Sequence, residues 1–578
     1  MKLFQGNLST IVRPTLLVIM GMAVGTYIYI LVIENKAYFN NYPYMEAPGN
    51  NTIKRTAVNQ CKQSKESEAD VDVRQAHDVK FPYAPYNSFD MGWIGIVEEY
   101  EWTYKHLQRE LASEREPLEV GPEAITPTAV TQSKVYLRGE KSTFKKGDII
   151  HVVIETRDEN GNLRLRGGDF LSGVMFNTQM QTSTAGRTVD YGNGTYSMYF
   201  YAGWMGQASI NVSLSYAREA ILFYDLTKYR DRRIVWSANF TDGKVIESSN
   251  CTITSEGTWT KSCSFTNTWA LGRTAFFCTK PKTLPCSSLT NISQNIVLML
   301  TEAEKAARSK EYLFEAKFRK AMFPPSPFKV KIEDSNKELD LPTCGPDLPI
   351  PVSSGYWKSY NTFVPLVCRS QEWTPEQRFK CASDKLFVLT GDSTVGQFSW
   401  VFNNKSIIGG PVMLKREYIA LRAGSPVQVI KELVFESDLI DSINSSICKS
   451  HTPVVVFNYC FHYGQWSIRS LLDRVYQTKL AILRLFERCP GSVVVAKLAH
   501  PRDNIGVLQH VHSGNYLGYD MNRMLRRVLG GIGVHFLDLW DMVAAHPDDN
   551  NVHVGRHIII QQVDMMLSHA CPHLVKGN

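Results

Sequence analysis

The sequence predicts two folded domains, an all-β sandwich followed by an α/β domain with a parallel sheet, preceded by a single N-terminal transmembrane helix. Three observations carry this reading. Residues 14–33 form one uncharged apolar run, short period-two β runs fill residues 128–290, and from 341 onward apolar strand-length runs alternate with helical patterns. At 578 residues the chain exceeds one core, because single cores stop growing near roughly 250–300 residues. With 44% apolar, 11% aromatic and 21% charged residues it can bury enough apolar surface to offset chain entropy, which excludes bulk disorder. The formal charge of +7 is modest, and the basic residues are scattered among acids, so no nucleic-acid partner is expected.

The anchor comes first. Pro14 to Ile33 contains no charged residue, and as a helix its 20 residues span about 30 Å, the hydrocarbon thickness. Glu34, Asn35 and Lys36 follow it in place of a small-residue cleavage site, so an uncleaved signal anchor is expected; cleavage would give a secreted form. Lys2 and Arg13 precede the run, which places residues 1–13 in the cytosol and the bulk in the lumen of the Golgi or secretory pathway, a single-pass type II arrangement. All twelve cysteines lie beyond the anchor, as an oxidising lumen would favour. None has tight C-x-x-C spacing with matching histidines, so disulfides are expected and no metal is. Sequons at Asn50, Asn193, Asn211, Asn239, Asn250, Asn291 and Asn444 are expected to carry glycans, whereas Asn404, following a helical pattern, is not.

Residues 34–125 read as a polar, proline-containing stem. Residues 126–295 read as the sandwich: period-two runs at Lys134–Arg138, Asp148–Ile154, Thr195–Phe200 and Ala208–Val212 are broken by Asp158–Asn162 and Asp190–Gly194. Residues 296–340 read as a helical linker, whose helix begins at the Thr301/Glu304 capping pattern and ends before Pro324. Residues 341–578 read as α/β, with strands at Leu386–Thr390, Val454–Asn458, Val493–Leu498 and Val534–Trp540 and a helix marked by Ile468, Leu471, Leu472, Val475, Ile482, Leu483 and Phe486. Near-continuous apolar strands between helices indicate a parallel sheet, whose sites form beyond the carboxyl ends of the strands.

At such an end stands Gly391-Asp392-Ser393-Thr394. A serine at a strand-to-helix turn holds its hydroxyl in the crevice, beside N–H groups that can stabilise an oxyanion, so Ser393 is the candidate nucleophile, with Gly391 and Asp392 shaping its turn. The same tripeptide can serve only as a turn and helix cap. A base is sought among His546, His553, His557 and His569. His553 lies in the loop between the last strand and last helix and is the candidate, while the other three read as turn or packing residues. Asp549, Asp538 and Asp541 are candidates for the carboxylate that orients it. Asn458 and His462, at the end of another strand, are candidates to donate to a developing oxyanion, although Asn458 can equally cap its turn.

These residues resemble the NXPE family, the neurexophilin and PC-esterase domain proteins. The resemblance rests on Gly167-Gly168-Asp169-Phe170-Leu171, Val189–Tyr196, Phe277-Cys278 through Cys286, Gly355-Tyr356-Trp357, Gly391–Thr394, the strand ending near His462, and Asp538 through His553. It implies an immunoglobulin-like or filamin-like neurexophilin domain followed by an SGNH-hydrolase-like PC-esterase domain, with Ser393 as nucleophile and His553 as base. The wider group looks like enzymes that add or remove acetyl groups on cell-surface glycans. Three positions depart from the usual pattern: Gly396 stands where relatives often have Arg, Cys460-Phe461 where many have Gly-Gln, and Asn550 where an Asp often precedes the histidine by three.

The expectation is therefore a membrane-anchored O-acetyltransferase or acyl esterase acting on a glycan or glycoprotein. No cofactor is required by the sequence, and acetyl-CoA is a candidate acyl donor. The alternative is a catalytically silent protein that binds a cell-surface partner through its neurexophilin-like domain.

Overall fold

The computed structural model describes residues 127–221, 234–252, 262–265, 276–298, 321–335, 339–418, 427–428, 436–461, 463–464, 468–503, 514–547 and 551–575. The expected anchor, the stem and the helix expected from Thr301 lie outside them, as do Asn50, His462 and Asp549. Among the described residues no helix is long and apolar enough to cross a membrane.

Two sheets face each other in a sandwich built from strands between 134 and 365. One has four strands in the order Lys134–Leu137, Ile149–Glu155, Thr195–Tyr201, Arg187–Asp190. The other has eight: Thr362–Pro365, Gly355–Lys358, Thr182–Ala185, Phe170–Asn177, Gly206–Tyr216, Phe328–Glu333 and Thr143–Lys145 in order, with Ala321–Met322 paired to Gly206–Tyr216. Alternate residues of the two sheets, among them Ile150, Val152, Ile154, Met198, Phe200, Met175, Ile210 and Val212, close one core between them. The strands expected from alternation are present, but the partition differs. Strands from 321 to 365, expected as linker and as the start of the α/β domain, complete the sandwich. The strands described between 234 and 298 leave it for a separate sheet, ordered Ser262–Phe265, Phe276–Thr279, Ile246–Thr252, Ile234–Thr241, Leu289–Leu298, Val427–Gln428. Disulfides Cys251–Cys278 and Cys263–Cys286 staple that sheet, and its Ala238, Phe240 and Leu289 join the core of the α/β domain.

The α/β domain holds five parallel strands: β1 (Lys385–Gly391), β2 (Met413–Tyr418), β3 (Thr452–Phe457), β4 (Val493–Lys497) and β5 (His535–Leu537), in the spatial order β2-β1-β3-β4-β5. Its long helices are α1 (Ser393–Asn403), α2 (Ile468–Arg488), α3 (Asn515–Leu529) and α4 (Arg556–Ala570). Leu386, Val388, Val455, Phe457, Val494 and Ala496 pack with Leu472 and Val475 of α2 and with Met524 and Leu525 of α3. The alternating Phe387, Leu389, Val454, Val456 and Val495 pack with Val395 and Phe398 of α1 and with Ile559, Val563 and Met566 of α4. Burial on both faces explains why these strands read as continuous apolar runs. β2 escaped the sequence reading because it is an edge strand, Met-Leu-Lys-Arg-Glu-Tyr, with no such run. Cys381–Cys571 joins residues 190 apart, which in the chain-entropy view stabilises the domain by about 5 kcal/mol. Cys344–Cys368 and Cys448–Cys489 are also bonded, and Cys460 is a buried free thiol.

Sandwich and α/β domain meet around one short helix, Trp540–Ala545. The strand expected to run to Trp540 stops at Leu537, because the Asp538 carboxylate accepts from Trp540 N at 3.1 Å and turns the chain into that helix. Its carbonyls then receive Trp357 Nε1 (to Met542 O, 2.7 Å) and Ser183 Oγ (to Ala545 O, 2.7 Å) from strands of the eight-stranded sheet. Arg187 Nη2 meets Asp541 Oδ2 at 3.0 Å, with both side chains buried.

Candidate active site

In a 2-1-3-4-5 sheet the chain crosses to opposite faces after β1 and β3, leaving a crevice at their carboxyl ends. β1 ends there at Gly391, and Ser393 opens α1. Gly391 has φ +137°, and a Cβ on it would lie 2.0 Å from Asn458 Oδ1, so glycine is demanded by both backbone and space.

The turn is fixed from below by a buried polar network. Asp392 caps α1: its Oδ1 accepts from Thr394 N (2.8 Å) and Thr394 Oγ1 (2.7 Å), and its Oδ2 accepts from Phe461 N (3.0 Å). Asn458, at the end of β3, accepts from Asp392 N through Oδ1 (2.8 Å) and donates through Nδ2 to Asp392 Oδ1 (2.9 Å) and Thr394 Oγ1 (3.0 Å). Both sides of the Asn458 amide are thus spent on the turn. This corrects the expectation that it donates to an oxyanion: it is a strut tying β3 to the nucleophile turn.

Lys497, fully buried at the end of β4, places Nζ 3.0 Å from Thr394 Oγ1. Burial lowers its pKa, while Cys460 and Asp392 work against that fall. Burial likewise raises the Cys460 thiol, and the Asp392 charge adds to the effect, so this cysteine is held as the thiol. Lys497 places an amine beneath the turn, where Gly396 offers no side chain. The sequence reading missed it because, within an apolar strand run, the lysine looks like its solvated end.

Ser393 and His553 come together across the strand ends: Ser393 Oγ and His553 Nε2 are 2.7 Å apart, with Ser393 half-buried and His553 exposed. This is hydrogen-bond reach for a nucleophile and its base. The Ser393 backbone N–H is the first of α1, and as such it points out of the helix with the positive end of the helix dipole.

The orienting carboxylate does not come from Asp538 or Asp541. Asp538 is bound to Arg526 Nη2 (3.0 Å) and Trp540 N; burial alone would raise its pKa, but Arg526 and Arg187 bring it below the usual range. Asp541 accepts from Arg187 Nη2 (3.0 Å) and Ser354 N (2.8 Å), and burial raises its pKa. Both acids build the domain junction, because the chain turns into the helix Trp540–Ala545 at that point. Asp549 lies outside the described residues. The His553 loop is instead gripped through its backbone: His500 Nε2 donates to Val552 O (3.1 Å) and Gln397 Nε2 donates to Val554 O (3.0 Å). Burial, with Lys497 nearby, lowers the His500 pKa to about 3, so its ring is neutral and its Nε2 proton is fixed by the carbonyl it faces. Neither His500 nor Gln397 carried a spacing or motif that could have announced this contact.

Of the other histidines weighed as bases, His546 and His569 are buried and His557 is exposed. His546 and His557 are paired Nε2 to Nε2 at 3.2 Å, with His546 also against Tyr360 O. His535 and His569 meet Nδ1 to Nδ1 at 3.1 Å. His569 also lies near Cys344 and Cys368, whose sulfurs are spent in their disulfide. Of the expected glycan acceptors, Asn193, Asn250 and Asn444 are exposed and Asn211 and Asn239 are half-buried.

Two protein-family models match the chain. Residues 119–306 match the neurexophilin domain, and residues 418–571 match the C-terminal domain of NXPE family member 4-like proteins. The second match contains Asn458, Lys497, His500 and His553 and begins downstream of Ser393. The two matches stand in family order and together span more than half of the sequence, so the chain belongs to the NXPE family.

Proposed function

We propose that the protein is a membrane-anchored, lumen-facing O-acyltransferase or acyl esterase of SGNH type that acts on glycans through an acyl-Ser393 intermediate. The observation that carries this reading is the 2.7 Å contact between Ser393 Oγ and His553 Nε2 at a β1/β3 crevice. His553 removes the Ser393 proton as Oγ adds to the acyl carbonyl; the Ser393 N–H and the dipole of α1 face the resulting oxyanion. Collapse expels the donor's leaving group, which takes the proton from His553. A glycan hydroxyl, or water in the hydrolytic variant, then gives its proton to His553 and attacks the acyl carbon, and His553 passes that proton to Ser393 Oγ as the acyl–Oγ bond breaks. Acetyl-CoA is a suitable donor, because its thiol leaves readily and nothing in the chemistry needs a metal or redox group.

The buried Lys497 amine beneath the turn, with its pKa shifted by burial, supports this reading over a silent scaffold, since a binding module has no need of a desolvated amine there. The test is labelling of the full-length protein by a fluorophosphonate, together with glycan O-acetylation in cells that overexpress it. Ser393→Ala is expected to abolish both. Normal expression of the variant with unchanged acetylation would sink the proposal.

A further inference from the structure

One cavity among the described residues has neither Ser393 nor His553 in its wall. It encloses about 220 Å³ at the seam between sandwich and α/β domain. The sandwich contributes Asp169, Phe170, Arg187, Asp190 and Arg218 to its wall, and the α/β domain contributes Tyr519, Arg523, Trp540 and Asp541. Neither domain forms it alone. The Gly167–Leu171 and Val189–Tyr196 segments, which carry the neurexophilin-like resemblance, lead into it, although the acyl-transfer chemistry uses neither.

We propose that this cavity binds one uncharged sugar ring, as a glycan-holding site separate from Ser393. Its size is below the roughly 300–1,000 Å³ of sites for drug-sized ligands, so it suits a single substituted ring. Its aromatic side is a cluster in which Phe170 meets Tyr519 at 5.4 Å and Trp540 at 6.1 Å between ring centroids, and Tyr519 meets Trp540 at 5.2 Å. Such rings offer an apolar surface for the C–H face of a sugar. Its polar side sets the guanidiniums of Arg187, Arg218 and Arg523 against the carboxylates of Asp169, Asp190 and Asp541. This balance disfavours a compact anion, which would face three carboxylates, and an apolar guest, which would strip water from the half-buried Asp190 and Arg523 without replacing its hydrogen bonds. Vicinal hydroxyls suit both signs, since they donate to carboxylates and accept from guanidiniums.

The wall is also held in shape without a guest. Asp190 Oδ2 accepts from Gly168 N at 2.7 Å, and Arg218 N donates to Asp169 Oδ1 at 2.7 Å. A preformed site loses less on binding than one that must be ordered. The inference rests on the glycan reading above only for the class of molecule presented, and it does not require turnover at Ser393.

The experiment is saturation-transfer NMR on the full-length protein in detergent, using methyl galactoside, methyl N-acetylgalactosaminide and methyl glucuronide as probes. At least one neutral glycoside is expected to bind, with affinity reduced about fivefold or more by Arg523→Ala at the partly exposed rim. Thr188→Trp, which fills the cavity from a half-buried wall position, is expected to abolish the signal, and Ser393→Ala to leave it intact. The proposal is overturned if neither neutral glycoside binds, if the signal survives Arg523→Ala and Thr188→Trp unchanged, or if only the glucuronide binds. Sugar binding without fluorophosphonate labelling would remove the catalytic reading and leave this one standing.

Discussion

The grip on the His553 loop gives the most direct test of how this site works. Gln397→Leu removes the donor to Val554 O, and His500→Leu removes the donor to Val552 O, so each deletes one neutral hydrogen bond flanking the base. Such a bond contributes about 1 kcal/mol net, a factor of about five in the population of loops that keep His553 within reach of Ser393. The double variant would lose about 25-fold if the two bonds acted independently. Because they hold carbonyls only two residues apart, losing one frees much of what the other restrains, and a smaller combined loss is expected. The assay is the fluorophosphonate labelling rate of Ser393 in the full-length protein, with melting temperature measured in parallel. His500→Gln, which retains an N–H donor, is expected to restore the rate to within about twofold. His500, with its pKa near 3, keeps its contact throughout pH 5–8, so its removal changes the level of the pH–rate profile and leaves its midpoint in place. Wild-type labelling rates in both folded single variants would refute a positioning role for the two side chains.

Two further outcomes follow from the geometry. Gly391→Ala forces a side chain into φ +137° and puts Cβ 2.0 Å from Asn458 Oδ1, so it is expected to cost about 3 kcal/mol or more in chemical denaturation and to abolish labelling; a variant of native stability would contradict the strut assigned to Asn458. Burial lowers the pKa of His500 and His569 to about 3 and of His535 to about 4, so below about pH 6.5 the unfolded chain takes up protons that the native chain refuses. Stability is therefore full above that pH and lost below it, by up to about 1.4 kcal/mol per pH unit for each histidine, and equal urea midpoints at pH 7 and pH 5 would exclude this linkage.

The sequence was most legible where one physical requirement dominated a stretch of chain. A strand buried on both faces must be apolar throughout, so β1, β3 and β4 could be read directly, and with them the place of Ser393 at a strand end. The final loop similarly singled out His553, now 2.7 Å from that serine. Alternation likewise identified strands from 134 to 216, because one side of each faces a core. What alternation does not encode is the partner. Nothing local distinguishes Phe328–Glu333, which completes the sandwich, from Ile234–Thr241, which leaves it for a sheet packed on the α/β domain.

The same limit governed the site. Residue type and spacing nominated Asp538 and Asp541 as partners of the base and Asn458 as an oxyanion donor, since each has suitable chemistry close in sequence. Hydrogen-bond capacity decided otherwise: Arg526 and Arg187 occupy the two acids, and the turn below Ser393 occupies both ends of the Asn458 amide. Lys497, His500 and Gln397 gained their roles through contacts spanning 52 to 157 residues. By itself, then, the sequence determined most of the strands and nominated Ser393 and His553, because periodicity and residue chemistry are local properties. Tertiary structure alone decided which sheets form, which polar groups remain available, and that two domains close a cavity between them, because each depends on which distant surfaces meet.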